Sequence, residues 1–148
     1  ANSLLALSRG NYVAAYQILS TPLGVRGTFI NLDLKMLNLK VLYEVSEKAP
    51  DFLEQDDIFI EKVLESFRGL LRDEVNRKKG ISAEYVAYYT VFEKYFRKLL
   101  RFQSKYSGLL FNHKNVSFTQ ERKTLQQEIT NIKYPFQDWF LNKLSNIK

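Results

Sequence analysis

Between Ser82 and Phe111 apolar and polar residues alternate with the period of an α-helix. Tyr85, Tyr89, Phe92, Phe96, Leu99, Tyr106 and Leu110 fall on one side. Tyr88, Tyr95 and Phe102 widen that stripe to about half the circumference, given ~100° per residue. The opposite side carries Lys94, Arg97, Lys98, Arg101 and Lys105. Ser82 suits the N-cap position, and Ile81 with Val86 has the spacing of a hydrophobic staple across it. A helix this long and this apolar on one side must bury that side against other helices, so the pattern makes 82–111 the organising element of the chain.

The same period predicts helices on both sides of it. From Phe29 to Glu47, Leu32, Met36, Leu39 and Tyr43 form one stripe, which Leu34, Leu37, Val41 and Leu42 broaden. A turn near Glu47 to Pro50 leads into a long helix predicted from Asp51 to about Asn76. Its inward residues are Phe52, Leu53, Ile60, Val63, Leu64, Phe67, Leu70 and Leu71, with Asp57, Glu61 and Glu65 outside. Arg77-Lys78-Lys79-Gly80 closes this helix: basic residues complement the C-terminal dipole, and glycine accepts the left-handed cap. After a break at Asn112 to Val116, a more polar helix runs from Ser117 to Lys133 with Leu125, Ile129 and Ile132 apolar. Ser117 and Gln120 have the spacing of a capping box. Pro135 opens a last short helix, to Asn146, that buries Phe136, Trp139, Phe140 and Leu144.

The first 22 residues carry a further pattern. Gly10 permits a tight turn, Tyr12, Ile18 and Leu19 supply burial, Ala15 permits close helix crossing, and Pro22 stops the helix. The run Leu4-Leu5-Ala6-Leu7-Ser8-Arg9-Gly10-Asn11-Tyr12-Val13-Ala14-Ala15-Tyr16-Gln17-Ile18-Leu19 resembles the middle of a tetratricopeptide repeat. In that family a Gly-Asp/Asn turn joins two helices, and a small residue follows the aromatic that opens the second. Leu39 and Tyr43 match first-helix positions of a second unit. That unit departs from the pattern, with no glycine at its turn and Phe52 where the family has alanine. The resemblance covers roughly the first half of the chain. It implies helical hairpins that stack and a protein-binding role.

Composition narrows the class. Of 148 residues, 45% are hydrophobic and 14% aromatic, with 11 Phe, 9 Tyr, 6 Gly and 3 Pro, enough to fill a core with few interruptions of regular structure. This favours an all-α fold over a β-sandwich, which needs frequent turns. With no cysteine, disulfides, thiolate metal sites and Cys nucleophiles are excluded together, and a reducing, cytoplasmic setting fits. No apolar run reaches the roughly 18 residues of a membrane span, and no signal peptide is visible. The chain opens at Ala1 without an initiator Met, as a trimmed chain or a fragment of a longer protein does.

Net charge is +6, unevenly spread: residues 1–75 hold 8 Lys/Arg and 11 Asp/Glu, whereas 76–148 hold 14 and 5. Such asymmetry suits an anionic partner for the second half, or equally the docking of an acidic first half on a basic second half. Among candidate chemistries, His113 is the sole histidine. A Glu-x-x-His metal pair would need Glu where Leu110 stands. No nucleophile elbow accompanies His113, and no glycine-rich phosphate loop occurs. Asp57, Glu61 and Glu65, four apart on one helix, read as a solvated face, because catalytic carboxylates need a desolvated cleft. Asn115-Val116-Ser117 matches the glycosylation triplet without other signs of secretion.

Lys94, Arg97, Lys98, Arg101 and Lys105 are therefore the candidate interaction patch. They lie within about 100° of arc, and Arg77, Lys78 and Lys79 precede them in sequence. Exposed aromatics for base stacking are missing from this pattern, since the aromatics share the apolar side.

The sequence predicts one all-α domain of antiparallel helical hairpins. Residues 1–76 form a tetratricopeptide-like array, and 81–148, with the long central helix, close it as a C-terminal cap. The expected role is a non-catalytic scaffold for a protein partner, without cofactor, metal or membrane. A basic module binding nucleic acid or another polyanion is the second reading. Far-UV circular dichroism should give a predominantly helical spectrum; a strong β signature would overturn every stripe assigned above.

Overall fold

The computed structural model describes residues 28–49, 51, 53, 59–76, 82–106 and 116–147. Every regular element among them is helical: α1 Thr28–Lys48, α2 Ile60–Asn76, α3 Ala83–Tyr106, α4 Val116–Thr130 and α5 Gln137–Asn146. The fold is all-α, and no strand occurs among the described residues. The expectations placed on Gly10 to Pro22, Phe52, Asp57, Arg77 to Ile81, Leu110, Phe111, His113 and Asn115 lie outside them. The chain divides into two compact units, Ala1–Val86 and Ala87–Lys148, so the seam falls inside α3. The sequence pattern had set its subdivision earlier, at 76–81.

In the first unit α1 packs on α2, and Lys35 Nζ donates to Ser66 Oγ across the pair at 3.2 Å. Leu32, Met36, Leu39 and Tyr43 are buried as predicted, as are Leu64, Phe67 and Leu71. In its second half α1 departs from a one-sided stripe. Val41, Leu42, Tyr43 and Val45 are all fully buried, and Glu44 nearly so, as happens to a helix that is apolar all round. Burial also lowers the pKa of Lys40 from its usual value.

The helix predicted from Asp51 to Asn76 is not continuous. Asp51 and Leu53 are helical, but Phe59 is not. Its carbonyl accepts from the amides of Lys62 at 3.1 Å and Val63 at 3.3 Å, so it starts α2 anew.

The second unit joins α3, from Ala87 onward, to α4 and α5. The Phe92 ring centroid lies 5.4 Å from Phe136 and 5.5 Å from Phe140. Trp139 stacks on Phe96 at 6.1 Å with 5° between planes. Contacts on α3 and α5 thus advance in the same chain direction. Lys98 meets Glu128 and Lys105 meets Glu121, so α4 runs opposite to α3. A second aromatic cluster, Phe102, Tyr106 and Phe118, has centroids 5.0 to 5.3 Å apart and fixes the far end of that pair.

The turn between α4 and α5 is held by backbone and side chain together. Gln137 Nε2 donates to the carbonyls of Ile129 at 3.0 Å and Thr130 at 2.7 Å. The Ile132 amide also donates to the Ile129 carbonyl at 3.0 Å, so these last-turn carbonyls of α4 find partners. Pro135 lies within this turn, two residues ahead of α5 rather than in its first turn as predicted. Tyr85 is a second departure: it stands on the predicted apolar stripe and is 52% exposed.

Phe96 and Leu99 are fully buried and Arg101 is exposed. Phe96→Ala and Leu99→Ala should each lower stability by about 2–5 kcal/mol in a urea melt. Arg101→Ala should change it by no more than about 0.5 kcal/mol. Equal costs for Leu99 and Arg101 would mean that the faces of α3 are misassigned.

Candidate interaction surface

The five predicted patch residues all sit on α3, within the second unit, but the structure divides them. Lys98 Nζ is 2.8 Å from Glu128 Oε2 on α4. Lys105 Nζ bonds Glu121 on the same helix. Arg97 Nε lies 3.8 Å from Glu93 Oε1, an ion pair within α3 that is too long for a hydrogen bond. Lys94 and Arg101 have no acidic partner among the described residues. The patch is therefore not a uniform row of free cations.

The cross-helix pairs have a simple origin in sequence. Lys98 and Lys105 are seven residues apart, and so are Glu121 and Glu128. Seven residues is close to two helical turns, so both members of each set recur on the same line of their helix. The acids that meet Lys98 and Lys105 come from α4, within the same unit. Hydrogen bonding to Lys105 holds the Glu121 carboxyl below its usual range, and the same bond raises Lys105. Burial raises the phenol of Tyr95, with the charge of Glu128 adding to it.

Two open grooves flank this seam. One, of about 440 Å³, lies between α3 and α4 and is lined by Lys98, Arg101, Lys105, Glu121 and Glu128 among others. Its charges largely cancel. The other, of about 420 Å³, lies where α3 faces the turn after α4. Lys94 and Lys133 stand at it, over Val91, Tyr95, Ile132 and Tyr134, and no carboxylate is among its described lining.

Sequence reasoning missed Lys133 and Tyr134 as surface residues. The helix predicted to Lys133 ends at Thr130, and Pro135, three residues after Ile132, is the sequence mark of the turn that follows. It also missed Arg122, whose guanidinium lies 4.3 Å from the Phe118 ring centre. Its Nε and Nη2 are buried without a hydrogen-bond partner, and burial lowers its pKa.

Among the described residues no His, Cys, Asp or Glu side chains gather in threes to hold a metal. No helix among them is long and apolar enough to cross a membrane. Compared with known proteins, the chain matches no family model, no curated protein and no solved structure.

The Lys105–Glu121 pair sets a pH dependence. The carboxyl of Glu121 is depressed on folding, so its stabilisation is present above its ordinary 4.5 and lost as pH falls through the lower folded value. Lys105 is raised, so its share is present below its ordinary 10.5 and lost as pH climbs through the higher folded value. The stability difference between wild type and Glu121→Gln should be flat between those limits and shrink outside them. A difference that instead grew on acidification would contradict the pairing.

Proposed function

We propose that this chain is a non-catalytic helical scaffold that mediates protein–protein interaction, within a larger protein and in the cytoplasm. The observation that carries the reading is the internal pairing of the basic stripe. Arg97, Lys98 and Lys105 already face carboxylates of their own unit, so the row does not offer the successive free cations that track a phosphate backbone. Tyr89, Phe92, Tyr95, Phe96, Phe102 and Tyr106 of α3 are buried in the core, where they serve packing rather than base stacking, while Tyr88 is half-buried and Tyr85 exposed.

The helical character of every described element supports the tetratricopeptide-like arrangement proposed for residues 1–76, as does the packing of α1 on α2. In this reading 81–148 closes the array. A terminal cap must bury its own apolar side, and the unit from Ala87 has an aromatic core of its own. The absence of cysteine fits the reducing compartment. The second reading, a polyanion-binding module, rests on the charge excess: Ala87–Lys148 holds 11 Lys/Arg against 4 Asp/Glu, a net +7.

Salt separates the two. A binder neutralising several phosphates loses about a thousandfold or more in affinity between roughly 50 and 200 mM salt. The scaffold reading predicts only weak association with RNA or DNA, and little effect of reversing Arg97, Lys98 and Arg101 to Glu. Submicromolar binding at physiological salt, abolished by that reversal in a folded protein, would establish the second reading instead.

A further inference from the structure

We infer that the groove between α3 and the turn after α4 is a docking site for an acidic, aliphatic-bearing peptide segment of a partner protein. The inference rests on the scaffold reading and names the class of partner.

The charge distribution comes first. The second unit has four acids, Glu93, Glu121, Glu128 and Asp138. Three of them are held by Arg97, Lys105 and Lys98. With these acids engaged, Arg101 keeps one cation, unpaired among the described residues, at the α3–α4 groove, and this second groove receives another part of the unit's excess positive charge. Lys94 comes from α3 and Lys133 from the turn, and both are exposed. Glu128, five residues before Lys133, is turned to Lys98 at 2.8 Å, and Glu93, next to Lys94, is buried beside Arg97. Two lysines with no carboxylate in the described lining make a local positive field that selects an anionic occupant.

The floor decides which anion. Val91 and Ile132 are aliphatic; Ile132 is already buried, so the half-buried Val91 supplies the apolar area that an aliphatic side chain can cover. The tyrosines, by contrast, have little ring face to offer. Tyr134 is stacked on Phe136 at 5.5 Å and met by Tyr88 at 5.4 Å. Tyr95 is 8% exposed, with the ammonium groups of Lys94 and Lys98 each 5.4 Å from its ring centre. Single-stranded nucleic acid needs aromatic faces for its bases, and here they are taken. Lysines at the rim and an aliphatic floor suit a peptide with carboxylates flanking a leucine or isoleucine.

The test is fluorescence anisotropy on the whole chain with four labelled probes. One is a short peptide of glutamates spaced by leucines, the second its serine-for-leucine counterpart of equal charge. The others are a lysine-for-glutamate counterpart and a short oligo-dT. The first peptide should bind best, and Lys94→Gln/Lys133→Gln should weaken it about tenfold, the loss of two modest charge contacts. Arg101→Gln/Lys123→Gln, which removes the same charge elsewhere, should weaken it less than about threefold. Circular dichroism checks that both variants remain folded.

Equal losses in the two variants would reduce the effect to the general field of the unit and overturn the site. So would equal binding of the serine peptide, or no peptide binding at all; either outcome leaves the scaffold reading standing. Preference for oligo-dT that depends on Lys94 and Lys133 would overturn both.

Discussion

The second unit depends on one constraint: the rings of α3 and α5 must interlock at the level of Phe92 and Phe96. Phe92 touches Phe136 and Phe140, and Phe96 touches Trp139 and Phe140, with centroids 5.4 to 6.5 Å apart. Large flat side chains pack well only in a few relative orientations, so each ring limits the others. Once α5 is placed by these rings, Gln137 reaches the end of α4 and helps hold the turn. That turn in turn sets where Lys133 and Tyr134 stand against α3. The peptide groove is a consequence of the aromatic core and not a separate feature.

Electrostatics acts on top of this packing. Exposed ion pairs contribute little stability each, at most about 1 kcal/mol. Their greater effect here is on which charges remain available to a partner. The pairs along α3 and α4 neutralise Arg97, Lys98 and Lys105, and the cations left over are Lys94 at one end of the stripe and Arg101 within it. A row of like charges that looks uniform on one helix is read differently once the facing helix is in place.

The helical character and most of the core were legible in the sequence, because burial of one side leaves a period in the residue types. The stripe from Tyr89 to Tyr106, the inward positions of α2 and the apolar marks of α4 and α5 all follow from that period. Boundaries and interruptions were less legible. The restart at Phe59 falls within an unbroken apolar period, which does not register a change of backbone state, and Tyr85 keeps the period of the α3 stripe although it is exposed. The candidate site was legible only in part. Its residues on α3 were visible as a row, but their pairing needed the facing residues of α4. Those share the seven-residue spacing of Lys98 and Lys105, yet spacing alone does not say which two helices meet.

Trp139 is the only tryptophan of the chain, and it lies against Phe96 in the second unit. Its emission is therefore an optical label built into one half of the protein, silent about the half that ends at Val86. Comparing it with the backbone dichroism of the whole chain separates two kinds of unfolding. Coincident transitions describe a molecule whose halves melt as one cooperative body, and displaced transitions describe halves with stabilities of their own. Because α3 runs through the seam, the result also says whether a continuous helix is enough to transmit cooperativity between cores.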